Sequence, residues 1–80
     1  MLKDELRQEI EKWSKRLDEK IPGTSTPDDE GVKLLEDVRA YREDSIHFLE
    51  QDDLIKSFEC LIWAWALLET GKRLGHLAAP

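Results

Sequence analysis

Apolar residues open the chain at Leu2, Leu6, Ile10, Trp13, Leu17 and Ile21, at steps of 4, 4, 3, 4 and 4. That spacing keeps all six on one narrow stripe of an α-helix. The remaining faces carry charges within i,i+4 reach, among them Glu5, Glu9, Lys12 and Arg16. The pattern predicts a surface helix over about 2–21 that lays one seam on a core and stops at Pro22-Gly23. After a short polar loop, Thr26-Pro27-Asp28-Asp29 reads as a second start, with Thr26 as N-cap, Pro27 in the first helical position and acids at the positive end of the dipole. The second helix, about 27–51, carries a stripe of Leu34, Val38, Tyr41, Ser45 and Phe48, widened by Leu35 and Leu49. Gly31 sits in its first turn.

Glu50-Gln51-Asp52-Asp53 makes the next break, with Asp53 as the expected N-cap and Asp52 in a turn position that glycine fills more easily. So short a connection makes helices two and three an antiparallel hairpin. The third helix, about 53–75, has a first stripe of Leu54, Phe58, Leu61, Trp65 and Leu68, with Ile55 and Ile62 beside it. Ser57, Ala64 and Gly71 recur every seven residues on one flank, a seam of small residues where a neighbouring helix can come close. Cys60, Trp63, Leu67 and Leu74 then occupy the opposite face. A helix apolar nearly all round is a buried helix, and two neighbours cannot enclose a third. Gly75 and the residues after it read as a helix stop and a fraying end.

Composition narrows the reading. Eighty residues form one domain at most, with a core thin enough to need help from a disulfide, a metal, regular helix packing or a second subunit. One cysteine excludes an internal disulfide, and no Cys/His cluster has the spacing of structural zinc. The net charge of −6 argues against a nucleic-acid partner, because phosphate recognition requires clustered Lys and Arg. The acidity lies in the middle, where residues 22–53 carry ten acidic against three basic side chains. No apolar leader follows Met1, and the run from Cys60 to Leu68 is far shorter than the ~20 residues of a membrane span, so a cytoplasmic, reduced setting is expected.

Candidate chemistry is sparse. Asp44-x-x-His47, near Glu43 and Glu50, has the form of half a helical di-metal site, but Glu43 and His47 fall off the core stripe; no metal or cofactor is expected. Arg42-x4-His47 matches the spacing of the arginine–histidine motif of the higher-eukaryote-and-prokaryote nucleotide-binding domains, some of which are ribonucleases. Here it lies mid-chain on an acidic helix that repels RNA. Cys60, inside an apolar run with no histidine near in sequence, reads as an inert thiol.

Tyr41 to Glu50, the Gln51-Asp52-Asp53 turn, Ser57 to Glu69 and the closing Arg73-Leu74-Gly75 resemble an archaeal family known as domain of unknown function 357. Asp44, Phe48, Leu49, Glu50, Asp53, Phe58, Ala64, Trp65, Ala66 and Leu68 fit its pattern, while Ser45, Asp52 and Ser57 stand where the family has alanine, glycine and alanine. The resemblance implies a short archaeal helical bundle and carries no catalytic residues.

The reading is therefore an all-α, three-helix bundle with a C-terminal antiparallel hairpin, completed by dimerisation. Its expected role is that of a non-enzymatic interaction module whose interface is Cys60, Trp63, Ala64, Leu67 and Leu74. The competing reading is a ligand- or nucleotide-processing domain, which requires Arg42, His47 and the tryptophans to converge on one cleft.

Overall fold

The computed structural model describes residues 1–79. Three helices follow one another, α1 (Leu2–Lys20), α2 (Asp29–Glu50) and α3 (Leu54–Arg73), with a 3-10 turn at Ile21–Gly23 after the first. They assemble into a rod of 43 × 18 × 18 Å. The chain is all-α, as the periodicity predicts, and α2 and α3 form the antiparallel hairpin.

The core forms where the three stripes meet. Ile10 and Leu17 of α1, Ile21 after it, Leu35 and Val38 of α2, and Leu54, Leu61, Ala64 and Leu68 of α3 are buried. Leu6, Trp13, Leu34, Tyr41, Leu49, Phe58, Trp65 and Leu67 close around them. The small-residue seam is the contact line of the hairpin. Ser57, Ala64 and Gly71 are all buried under α2. The Ser57 hydroxyl donates to the Ser45 carbonyl oxygen at 2.8 Å, and the two serine hydroxyls meet at 3.1 Å. Serine therefore fits two positions sized for alanine, because each hydroxyl finds a partner in the gap.

Both helix ends in the hairpin region close with the same six-residue pattern. Asp53 N–H donates to the Phe48 carbonyl and Asp52 N–H to that of Leu49, with Asp52 at φ +60°. At the end of α3, His76 N–H donates to Gly71 and Gly75 N–H to Lys72, with Gly75 at φ +82°. These are Schellman closures, which need a left-handed residue after the helix. Asp52 fills that position in place of glycine because its carboxylate is used: it accepts from Lys3 Nζ at 2.6 Å and from the Arg7 guanidinium. The turn is thereby tied to the start of α1. Asp53 caps α3, its carboxylate accepting from Lys56 N–H at 3.2 Å.

Two expectations are corrected. The N-cap of α2 is Asp28, with Oδ1 accepting from Gly31 N–H at 2.7 Å, and the helix begins at Asp29. Thr26 and Pro27 precede the cap. A carboxylate binds the orphan N–H groups more strongly than a hydroxyl does, and Asp28 is also reached by His76. Nor does the tail fray. Leu77 is buried against the hairpin, Ser25 and Ala78 exchange backbone hydrogen bonds of 2.9 and 3.1 Å, and His76 Nδ1 lies 2.8 Å from Asp28 Oδ2. Residues 74–79 thus cross over the start of α2.

Candidate functional site

A helix packed between two others on one side leaves its back in solvent, and α3 does so with apolar residues. Ile55, Ile62, Trp63 and Leu74 are 67%, 51%, 57% and 65% exposed. Ala66 is exposed among them, and Cys60 and Leu67 are half-buried at the margin next to α2. The exposed polar residues around this back are Lys56, Glu59, Glu69, Thr70 and Arg73. Two consecutive isoleucine and tryptophan side chains in water are costly, because each forgoes roughly 1.5–3 kcal/mol of burial.

Tyr41 of α2 lies against Trp63, with ring centroids 6.2 Å apart and planes 19° from parallel, so the indole is held along the helix instead of swinging free. Asp37, Ala40, Asp44 and Leu67 complete a shallow depression around this pair. On the opposite flank, a groove of about 400 Å³ runs between α1 and α3, lined by Trp13, Phe58, Leu61, Ile62, Trp65, Ala66 and Glu69. Trp13 and Trp65 meet edge to face at 5.7 Å, and Trp65 Nε1–H donates to the Trp13 carbonyl at 3.2 Å. The Arg16 guanidinium covers the Trp13 ring at 4.9 Å. These contacts give α1 its seat on α3.

Of the five residues expected to form an interface, Trp63 and Leu74 stand out in solvent and Cys60 and Leu67 are half-covered. Ala64 is fully buried beneath α2 and is not available to a partner. It belongs to the hairpin seam, the tighter use of a small residue. Ile55 and Ile62, placed by their spacing at the margin of the core stripe, face solvent instead. The stripe that α1 and α2 cover is narrower than an apolar count suggests, and only the residues nearest Leu61 lie inside it. Cys60 is an unpaired thiol whose burial, followed by the Asp44 and Glu59 carboxylates, pushes its pKa up, the opposite of what a nucleophile requires.

Arg42 and His47 do not converge within the chain. Arg42 points to α1, where Nε and Nη2 donate to the two Asp18 carboxylate oxygens at 2.7 and 2.8 Å. His47 is exposed and pairs with Gln51 at 3.0 Å. Trp13 and Trp65 line the groove between α1 and α3 and Trp63 lies against Tyr41, and neither depression is lined by Arg42 or His47. The ion pair of Arg42 is a bidentate clasp between α1 and α2, and its guanidinium is largely shielded, at 16% exposure. Glu43, like His47, points to solvent. Among the described residues no group of three or more His, Cys, Asp or Glu side chains is placed to hold a metal ion. No helix among the described residues is long and apolar enough to cross a membrane.

The tail cluster has a pH signature. His76 beside Asp28, and then the Gly31 N–H, hold the Asp28 carboxyl below its ordinary value of 3.8. A carboxyl depressed on folding contributes stability above its unfolded pKa and loses it as pH falls through the folded one. Asp28→Asn is therefore expected to be less stable than the wild type at neutral pH. The difference should shrink as the pH drops below 3.8, in thermal melts followed by circular dichroism. An equal difference at neutral pH and near pH 3 would refute this account of the cluster.

Comparison with known proteins agrees with the helical geometry. No curated protein matches. A crystal structure of a protein from Archaeoglobus fulgidus, assigned to the family DUF357, superposes with a TM-score of 0.90 at 41% identity over 100% of both chains. The family model described as "Protein of unknown function (DUF357)" matches residues 4–77. From the first charged turn of α1 to the buried Leu77 of the tail, this chain belongs to the DUF357 family.

Proposed function

We propose that the chain is a non-enzymatic interaction module that associates with a second copy of itself through the back of α3. One observation carries this reading: four large apolar side chains, Ile55, Ile62 and Trp63 on α3 and Leu74 at its C-cap, are each more than half exposed. Together with Ala66 and the margins of Cys60 and Leu67 they offer on the order of 500 Å² per copy. Two copies then bury ~1,000 Å², the lower bound for a specific interface. A patch of that size left wet is an aggregation hazard in a monomer. The lone, shielded thiol and the absence of disulfides suit the reducing cytoplasm, and the reading places the module there.

Sedimentation equilibrium tests it. The wild type is expected to be dimeric at concentrations on the order of 100 μM, as an interface at the small end of the range requires. Trp63→Glu and Ile62→Lys are each expected to be monomeric while keeping the helical circular dichroism of the wild type. Using two substitutions separates loss of association from loss of fold, since Ile62 makes no stack with Tyr41. A wild type that remains monomeric throughout would overturn the proposal.

A further inference from the structure

Resting on that reading, we infer that two copies meet antiparallel, across a two-fold axis that passes beside Ala66 perpendicular to α3. Glu59, Ala66 and Arg73 are all exposed and spaced by seven residues, so they form one line along the back of the helix. Ala66 is its midpoint and its smallest member. Neither Glu59 nor Arg73 forms an ion pair within the chain among the described residues.

An axis perpendicular to the helix at Ala66 sets residue 66 − n of one copy level with residue 66 + n of the other. Glu59 of each copy then faces Arg73 of the other, and the match occurs twice because a two-fold interface is self-complementary. The parallel alternative sets Glu59 against Glu59 and Arg73 against Arg73, which like-charge repulsion disfavours. Charge thus selects direction, and the alanine at the midpoint selects register by letting the two backbones approach.

The flanks obey the same symmetry. Ile55 and Ile62 form a second line at a spacing of seven on the groove side, and Lys56, Trp63 and Thr70 form a third on the other. A perpendicular two-fold brings each flank against its own copy. Trp63, level with residue 69 of the second copy, then packs by that copy's Thr70 and Leu67, whereas Ile62 packs along the aliphatic stems of its Glu69 and Arg73. Each flank has its large apolar residue near the middle, Trp63 on one side and Ile62 on the other, with Glu69 bordering the groove beside Ile62. The charged Lys56, Glu59 and Arg73 lie farther from the axis, toward the ends, where a rim belongs.

Two measurements decide between register and association. In a Cys60→Ala background, Ala66→Cys is expected to cross-link nearly completely under mild oxidation, because residues on a two-fold axis reach disulfide distance. Glu43→Cys in the same background, on the exposed side of α2, is expected to remain monomeric under denaturing electrophoresis. In sedimentation, Glu59→Arg and Arg73→Glu are each expected to weaken self-association by about ten-fold or more, and the double reversal to restore it. A dimeric wild type in which Ala66→Cys fails to cross-link, or in which the double reversal does not recover, would overturn this register and leave self-association standing. A monomeric wild type would overturn both.

Discussion

Gly31→Ala is expected to release the C-terminal tail from the start of α2 and to lower stability by about 2 kcal/mol. A Cβ at Gly31 would stand 1.9 Å from the His76 carbonyl oxygen and 3.1 Å from its carbon. Both obstacles are backbone, so no side chain can rotate out of the way and the crossing segment must lift. Lifting it removes Leu77, now 2% exposed, from the core, together with the Ser25–Ala78 bridge and the Asp28–His76 contact. Burial of one leucine is worth roughly 1.5–3 kcal/mol, and the better helix propensity of alanine returns about 1. The bridge and the cap interactions account for the remainder. Urea denaturation gives the loss, and hydrogen exchange at Leu77 and Ala78 shows whether the tail is the part that moves. Gly71→Ala is the comparison: its Cβ meets Leu77 Cδ1 at 2.6 Å and Cγ at 2.9 Å, side-chain atoms and not backbone, so Leu77 must repack but the crossing backbone need not lift, and a smaller loss is expected. Unchanged protection of the tail in Gly31→Ala would show that the crossing is not held as described.

Ser57→Leu is expected to cost about 2–4 kcal/mol, by forcing α2 and α3 apart. Ser57 has no exposed surface, and its hydroxyl donates to the Ser45 carbonyl across the hairpin at 2.8 Å. Overpacking a filled site costs roughly 1–3 kcal/mol, and the lost hydrogen bond adds about 1. Ser57→Ala removes only the second of these and is expected to cost about 1 kcal/mol. The contrast between the two substitutions in chemical denaturation separates space from hydrogen bonding. In a domain with about 4–12 kcal/mol of total stability, the leucine variant approaches the threshold of unfolding at ambient temperature. Equal losses for leucine and alanine would mean the seam is looser than the serine geometry implies.

The fold was largely legible because its cues are periodic. The stripes of the three helices, the Asp53 cap, the strained turn at Asp52 and the small-residue seam all follow from spacing and residue type, and the structure places them accordingly. The tail was not legible, because what holds it is a crossing between residues far apart in sequence. Gly31, within an otherwise ordinary first turn, is the trace of that crossing: a missing Cβ marks where His76 passes. Asp28 displaced Thr26 as the cap for a related reason, since its second carboxylate oxygen serves the returning histidine. The back of α3 was legible as an excess of apolar residues, but its membership was not. A helical wheel cannot say how wide a stripe two neighbours will cover, which is why Ala64 went under α2 and Ile55 and Ile62 came out. For Arg42 the nearby histidine in sequence was a distraction; the carboxylate that fixes it, Asp18, is on another helix.

The carboxylate of Asp52 also bears on the order of assembly. Its two cationic partners, Lys3 and Arg7, sit on α1, more than forty residues away along the chain, whereas the turn that presents it is closed by hydrogen bonds between residues three to five apart. Local closure is fast and long loops are slow to close. The hairpin is therefore expected to form first, and its turn to act as the landing point for the opening turns of α1. On this view α1 is the late-arriving part of the molecule, and the end of the rod where it lands is where native-state unfolding begins.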